Sequence, residues 1–397
     1  MQKLNYFLMG LITAVFFSSF IYFEYFDLTN KFVNSIFGLI ALYLFLHVEK
    51  KAVLVAGFFV GIFWFYWVGY SFKYTGVGYL TPFVTVGFGL VYMLFFGVLA
   101  LFEKPFYRAI ALFALNFVDV FYFNWLQIQA IFTDSYFGLQ TYQLAIMLLV
   151  LALPLKKLKF IPLLALIFTL NFQTPQQNNM PLKIKLVQTD IKQDKKWTAQ
   201  ELPKIIQIGY TEINKAIKNG YDVVVFPESF YPFYMNKHPQ FLQKLLELSK
   251  DITIITGSLY SEKNNHYNVT YILKDGDFSI AKKFVLVPFG EYVPLPKFAQ
   301  EWVNETFFAG EADFKPADKP TDFYIKGIKF RNAICYEATS KKIYEGDVKF
   351  VIAMSNNAWF APSIEPTLQQ ILMKYYGRKY KVTIYHSANY KFSKIVF

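Results

Sequence analysis

Phe330-Arg331-Asn332-Ala333-Ile334-Cys335-Tyr336-Glu337 is an apolar strand that breaks at once into a polar turn, and it holds the only cysteine of the 397 residues. Two other stretches belong with it. Val223-Val224-Val225-Phe226-Pro227-Glu228 is a second apolar run, and it ends on a carboxylate. Lys282 and Lys283 stand just before Leu286-Val287-Pro288-Phe289-Gly290-Glu291. A nucleophile, a carboxylate base and a cation at strand ends are the parts of a thiol acyl-transfer site.

Each of these residues also has a plain structural reading. A lone cysteine is often just a small buried hydrophobe. Cys335 closes its strand and is followed by Tyr336-Glu337, which places the thiol at a cleft. A free thiol with a pKa of about 8.5 needs a base or a cation beside it to react at neutral pH. Glu228 is either solvated at a loop or held at the rim of a core as a general base. Lys282 and Lys283 are adjacent, so strand alternation sends them to opposite faces, one to solvent and one toward a developing oxyanion. Glu291 is either a solvated loop residue or the group that orients the lysine. The four histidines are scattered and no Cys/His cluster exists, so neither a metal nor a cofactor is expected.

Alternating short β runs and helical stretches surround these residues. Strands are expected at 183–188, 222–226, 252–257, 267–273, 284–287, 323–325, 329–335, 350–354 and 383–387, and helices at about 199–218, 239–250 and 366–379. Helices interleaved with fully apolar strands argue for a layered α/β domain with buried sheets.

The first half of the chain is of another kind. Residues 1–182 carry only ten Lys/Arg and six Asp/Glu, against thirty and twenty-two in the remainder. With 55% hydrophobic and 20% aromatic residues overall, the first half reads as a membrane domain. Apolar runs lie at about 4–23, 32–48, 52–72, 80–102, 106–123, 139–155 and 158–172, about seven spans. Lys3, Lys50, Lys51, Lys104, Arg108, Lys156, Lys157 and Lys159 fall on one side of these spans, and only Lys31 and Lys73 on the other. The positive-inside rule then puts the N-terminus in the cytoplasm and the globular domain outside, in the periplasm of a Gram-negative cell. Trp64, Trp67 and Tyr70 are expected as interfacial anchors. Gly57 and Gly61 point to close helix packing within the bundle or to dimerisation. Asp119 is either a functional group within a span or a hydrated residue near its end. The basic balance, net +12, fits anionic lipid headgroups; no basic motif for nucleic acid accompanies it. The expected domains are 1–172 in the membrane, a polar linker at 173–181 and a catalytic domain at 182–397.

The Glu228, Lys283 and Cys335 set resembles that of the nitrilase (carbon–nitrogen hydrolase) superfamily, which implies an α-β-β-α sandwich. The membrane half narrows the resemblance to the apolipoprotein N-acyltransferase family. Its most specific matches are Leu286–Pro294, Ile334-Cys335-Tyr336-Glu337 and Ser355-Asn356-Asn357-Ala358-Trp359-Phe360. Val187-Gln188 followed by Trp197, and Pro227-Glu228-Ser229, also fit. The resemblance implies Cys335 as nucleophile, Glu228 as general base, and Lys283 rather than Lys282 as the cation. Glu291, Glu337 and Tyr336 are implied as supporting residues; Trp197, Trp359 and Phe360 are implied around the cleft and the lipid entrance. It further implies an acyl donor phospholipid, expected to be phosphatidylethanolamine, and a diacylglyceryl apolipoprotein acceptor. A monomer in the inner membrane is expected.

The sequence departs from the family pattern in two places. Asn124-Trp125 stands where the family has an acidic residue before a tryptophan. Ser387-Ala388-Asn389-Tyr390 leads only to Lys391–Phe397, so the family's final strands and last membrane helix are expected to be missing. The tail Lys391–Val396 alternates loosely and is expected to pair as an edge strand with its lysines outward. The competing readings are a membrane-tethered amidase of the same superfamily and a non-catalytic remnant or lipid-binding scaffold.

Overall fold

The computed structural model describes residues 2–74, 76–119, 123, 125–154, 161–263, 265–288, 290–292 and 314–397, with residues 2–4 described by backbone alone. Asn124, Lys156, Lys157, Lys159, Phe289, Val293 and Pro294 lie outside the described residues. The chain divides into two compact units, Met1–Pro175 with Ser363–Tyr375, and Gln176–Pro362 with Tyr376–Phe397.

Among the described residues of the first unit, three helices are long and apolar enough to cross a membrane: Asn5–Tyr25, Lys50–Tyr74 and Gly78–Leu101. Lys31–His47, Pro105–Leu115 and Thr141–Ala152 are shorter apolar helices, and Ile161–Thr169 is wound as a 3-10 helix. Helix ends are set by local chemistry. The Asn30 side chain accepts the Phe32 and Val33 amides, and Gln140 and Gln143 form a reciprocal cap. Gly57 and Gly61 let two helices touch backbone to backbone: a Cβ on either would come within 2.6 Å of the Tyr92 or Phe88 carbonyl. The close-packing reading of these glycines therefore holds within the unit.

One expectation fails here. Trp64 and Trp67 are buried; Trp64 donates to Ser18 Oγ at 3.1 Å and Trp67 to the Trp64 carbonyl at 2.7 Å. They are packing residues of the bundle, because each indole N–H has found a partner inside it. Asp119 is exposed and lies beyond the end of the helix Pro105–Leu115. Two cations that enter the unit are paired. Lys374 bridges Glu24 at 3.1 Å and Asp134 at 2.7 Å, and the Arg108 guanidinium donates to the carbonyls of Phe102, Leu46 and Val48.

The second unit is built on two five-stranded sheets. One has the order β1 (Ile184–Leu186), β2 (Val223–Val225), β3 (Thr253–Glu262), β4 (Asn265–Lys274), β5 (Asp277–Lys282). The other runs β10 (Lys394–Val396), β9 (Thr383–Asn389), β8 (Phe350–Asn356), β7 (Ile328–Ile334), β6 (Asp322–Ile325). Alternation explains the apolar runs. Val223 and Val225 pack with Phe330, Ile334, Ile352 and Met354 between the sheets, while Val224 and Phe226 face the helices Leu202–Lys218 and Pro239–Leu248. Both faces of β2 are thus buried, and its side chains are apolar throughout.

One strand was misplaced by the sequence reading. Residues 284–287 are not a strand; β5 precedes them and pairs with β4 through the turn Asp275-Gly276. Both turn residues have positive φ, +54° and +81°, as a two-residue hairpin requires. The Asp-Gly signal was present, but Asp277, Phe278 and Ser279 face solvent and hide the strand's apolar period. The expected tail strand does form. β10 pairs antiparallel with β9, Lys394↔His386 to Val396↔Ile384, with Lys394 exposed and Val396 buried.

Candidate active site

β7 delivers Cys335. The strand is parallel to β8 and ends at Ile334, and Cys335 then takes φ +53°. A side chain other than glycine in the left-handed region costs of order 1 kcal/mol or more, and here it turns the chain sharply at the thiol. β2 delivers Glu228 in the same manner. Phe226 still bonds to Ile255, Pro227 stops the ladder, and Ser229 follows Glu228 with φ +44°. This turn is pressed against β3 at Gly257, where an added Cβ would lie 2.3 Å from the Ser229 nitrogen. Glycine at 257 is required because backbone, not a movable side chain, occupies that space.

The hairpin β4–β5 delivers Lys283, the first residue past β5. Its ammonium is buried, 2.8 Å from each Glu291 oxygen and 3.7 Å from Glu228 Oε1. Burial alone would push Lys283 toward neutrality, but Glu291, Glu228 and Cys335 outweigh it and raise its pKa well above the ordinary range. Lys282 points the other way. It pairs with Glu262 at 3.1 Å and lies 3.8 Å over the Tyr267 ring. Of the two adjacent lysines, only Lys283 reaches the carboxylates.

Both glutamates are held rigidly. Asn268 Nδ2 donates to Glu228 Oε1 at 2.9 Å and to Glu291 Oε1 at 3.2 Å. The Asn356 amide donates to Glu228 Oε2 at 3.0 Å, and the Val287 amide to Glu291 Oε2 at 2.9 Å. Behind Asn356 lies a chain of amides: its Nδ2 donates to Gln193 Oε1, and its Oδ1 accepts from Asn389, both at 2.8 Å. Glu337 ties the end of β7 to the lysine segment. One oxygen accepts the Phe284 and Val285 amides, and the other accepts Ile334 at 2.7 Å. Burial pushes the Glu337 carboxyl up to about 7, opposed by Lys283 and these three donors.

The residues expected around the cleft are less enclosed. Trp197 is exposed, Trp359 and Phe360 are half-buried on the turn that follows β8, and Tyr336 is buried. Chemically, the assembly offers a thiol on a sharp turn, a fixed carboxylate and an ammonium braced by a second carboxylate. That set can ionise a nucleophile and meet the charge of a tetrahedral intermediate.

Residues 4–172 match the apolipoprotein N-acyltransferase integral membrane domain, and residues 183–379 match carbon-nitrogen hydrolase. Over 392 residues the chain is 39% identical to an apolipoprotein N-acyltransferase of Wolinella succinogenes, spanning 98% of this chain and 95% of that protein. The chain belongs to the apolipoprotein N-acyltransferase family. Relatives of the same description in Helicobacter pylori and Campylobacter jejuni share 37% over 373 residues and 33% over 388. These alignments cover 92% and 95% of this chain, and 87% and 86% of theirs. The protein is therefore a membrane acyltransferase whose second half has the nitrilase-type fold.

Within this N-acyltransferase the sequence reading missed two residues of the site. Asn268, on β4, joins the two carboxylates; β4 also carries Asn265, His266 and Thr270, so one more polar residue there does not stand out in sequence. Lys196 is fully buried, and its Nζ donates to the Glu228 backbone carbonyl at 3.0 Å. Nothing in its local sequence, Gln193-Asp194-Lys195-Lys196, sets it apart from its neighbours.

Proposed function

We propose that the protein N-acylates apolipoproteins by a ping-pong reaction through a thioester on Cys335. Glu228 takes the thiol proton as the sulfur attacks the acyl ester of a phospholipid, expected to be phosphatidylethanolamine. The carbonyl π electrons move onto oxygen, and the Lys283 ammonium meets that charge while Glu291 keeps it in place. Collapse of the intermediate breaks the ester C–O bond, Glu228 returns the proton to the leaving alkoxide, and a lysophospholipid departs. In the second half the α-amine of an N-terminal diacylglyceryl-cysteine attacks the thioester. The amine loses its proton to Glu228, the C–S bond breaks, and Cys335 recovers a proton.

The remaining expectations complete this reading. Glu337 and Tyr336 keep the nucleophile turn in place, and Trp197, Trp359 and Phe360 line the approach for acyl chains. The N-terminus is cytoplasmic, about seven spans precede the periplasmic catalytic domain, and the enzyme works as a monomer in the inner membrane. The observation that carries the reading is the buried Lys283 shared by Glu228 and Glu291, in a chain of which 98% aligns with an apolipoprotein N-acyltransferase. The test incubates purified protein with a labelled-acyl phospholipid and a diacylglyceryl-cysteine peptide. Label should appear as an amide on the peptide and only with Cys335 present. Label released as free fatty acid, with none on the peptide, would make water the acceptor and reject the transferase.

A further inference from the structure

Lys196 ends the one-turn helix Gln193–Lys196 and is the second buried lysine of the catalytic unit. Unlike Lys283, it has no carboxylate within ion-pair distance among the described residues, and its only hydrogen bond there is to the Glu228 carbonyl. Desolvating an ammonium without a counter-ion is costly, and a methionine would fill the same space without that cost. Burial lowers the Lys196 pKa to about 8, while the nearby charges of Glu228 and Cys335 act in the opposite direction.

The charges around the thiol make such a cation useful. Glu228 and Glu291 bring two negative charges and Lys283 one positive charge, and Glu337 is a further carboxyl in reach of Lys283. Lys283 is already divided between two carboxylates. When the Cys335 proton moves to Glu228, negative charge passes from oxygen to sulfur, and Lys196 interacts with both groups. Its bond to the Glu228 carbonyl also steadies the backbone just before Ser229, the residue with positive φ.

We propose that Lys196 is a positioning residue of the acyl-transfer site, which fixes the Glu228 turn through its carbonyl and supplies the uncommitted positive charge that favours the Cys335 thiolate. This rests on Cys335 being the nucleophile. The test follows iodoacetamide alkylation of Cys335 against pH in the full-length protein, wild type against Lys196→Met and Lys196→Gln. Loss of a nearby cation should move the alkylation midpoint up by about one unit in both variants. Lys196→Gln retains a donor for the carbonyl, so it covers the case in which Lys196→Met does not fold. A wild-type midpoint in either folded variant overturns the proposal, including where acyl transfer is lost, since Lys196 would then act by packing alone. Alkylation needs no lipid, so absent acyl transfer by the wild type would sink the proposed function without deciding this result.

Discussion

Gly257→Ala perturbs the proposed base without touching any group that reacts. The new Cβ would stand 2.3 Å from the Ser229 nitrogen and 2.8 Å from the Glu228 carbonyl carbon and Cα. Ordinary contact begins at 3.4 Å, so the turn falls about 1 Å short of the room it needs. No rotamer change relieves this, because all three atoms are backbone. The turn is also braced on its far sides by the Lys196 ammonium and by the Asn268 and Asn356 bonds to the carboxylate. Overpacking of this kind costs about 1–3 kcal/mol, roughly 2–10 °C of melting temperature for a unit of this size. Displacing a catalytic group by about 1 Å lowers its rate on the order of 10²-fold. Thermal unfolding and the single-turnover rate of Cys335 acylation should both be measured. A variant that melts with the wild type and acylates within a few-fold of it would show that the close approach at Gly257 does not locate Glu228.

The lysine pair offers a sharper contrast. Lys283→Ala leaves the Glu228 and Glu291 carboxylates buried together without their cation, and acylation should fall by about 10²–10³-fold. Lys282→Ala removes a partly exposed bridge worth roughly 0–1 kcal/mol and a contact over the Tyr267 ring, and should acylate within a few-fold of wild type; equal losses in the two variants would contradict the opposite-face placement. Deleting Tyr390–Phe397 strips β10 from β9 and removes the Ser393 bonds to Gln188, Val187 and Ala388. Because neighbouring Asn389 supports Asn356, which holds Glu228, unfolding stability and acylation rate should drop together, the former by about 2–4 kcal/mol. Loss of neither would mean that the tail strand does not support the site.

The parts of this fold that were legible in the sequence are those whose burial is two-sided. Val223–Val225 and Phe350–Met354 must be apolar at every position, because one face meets the other sheet and the opposite face is also covered. Cys335 and Glu228 were legible because each closes an apolar run, and Lys283 because it stands just before Leu286-Val287-Pro288-Phe289-Gly290-Glu291. β5 was not, since its outer residues are polar and only the Asp275-Gly276 turn betrays it. Trp64 and Trp67 were misread because an indole buried in a helix bundle and one at a lipid interface look alike in sequence. Lys196 and Asn268 were invisible for a different reason. Their partners lie 23 to 40 residues away outside their own elements, and one of those partners is a backbone carbonyl that carries no sequence signal.

The most direct measurement is mass spectrometry of the purified protein after incubation with phospholipid and no acceptor. An acyl mass on the peptide that contains Cys335, removed by neutral hydroxylamine and absent from Cys335→Ala, is the expected result. An acyl adduct that persists in Cys335→Ala, or a fully folded wild type that never acquires one, would contradict the thioester mechanism.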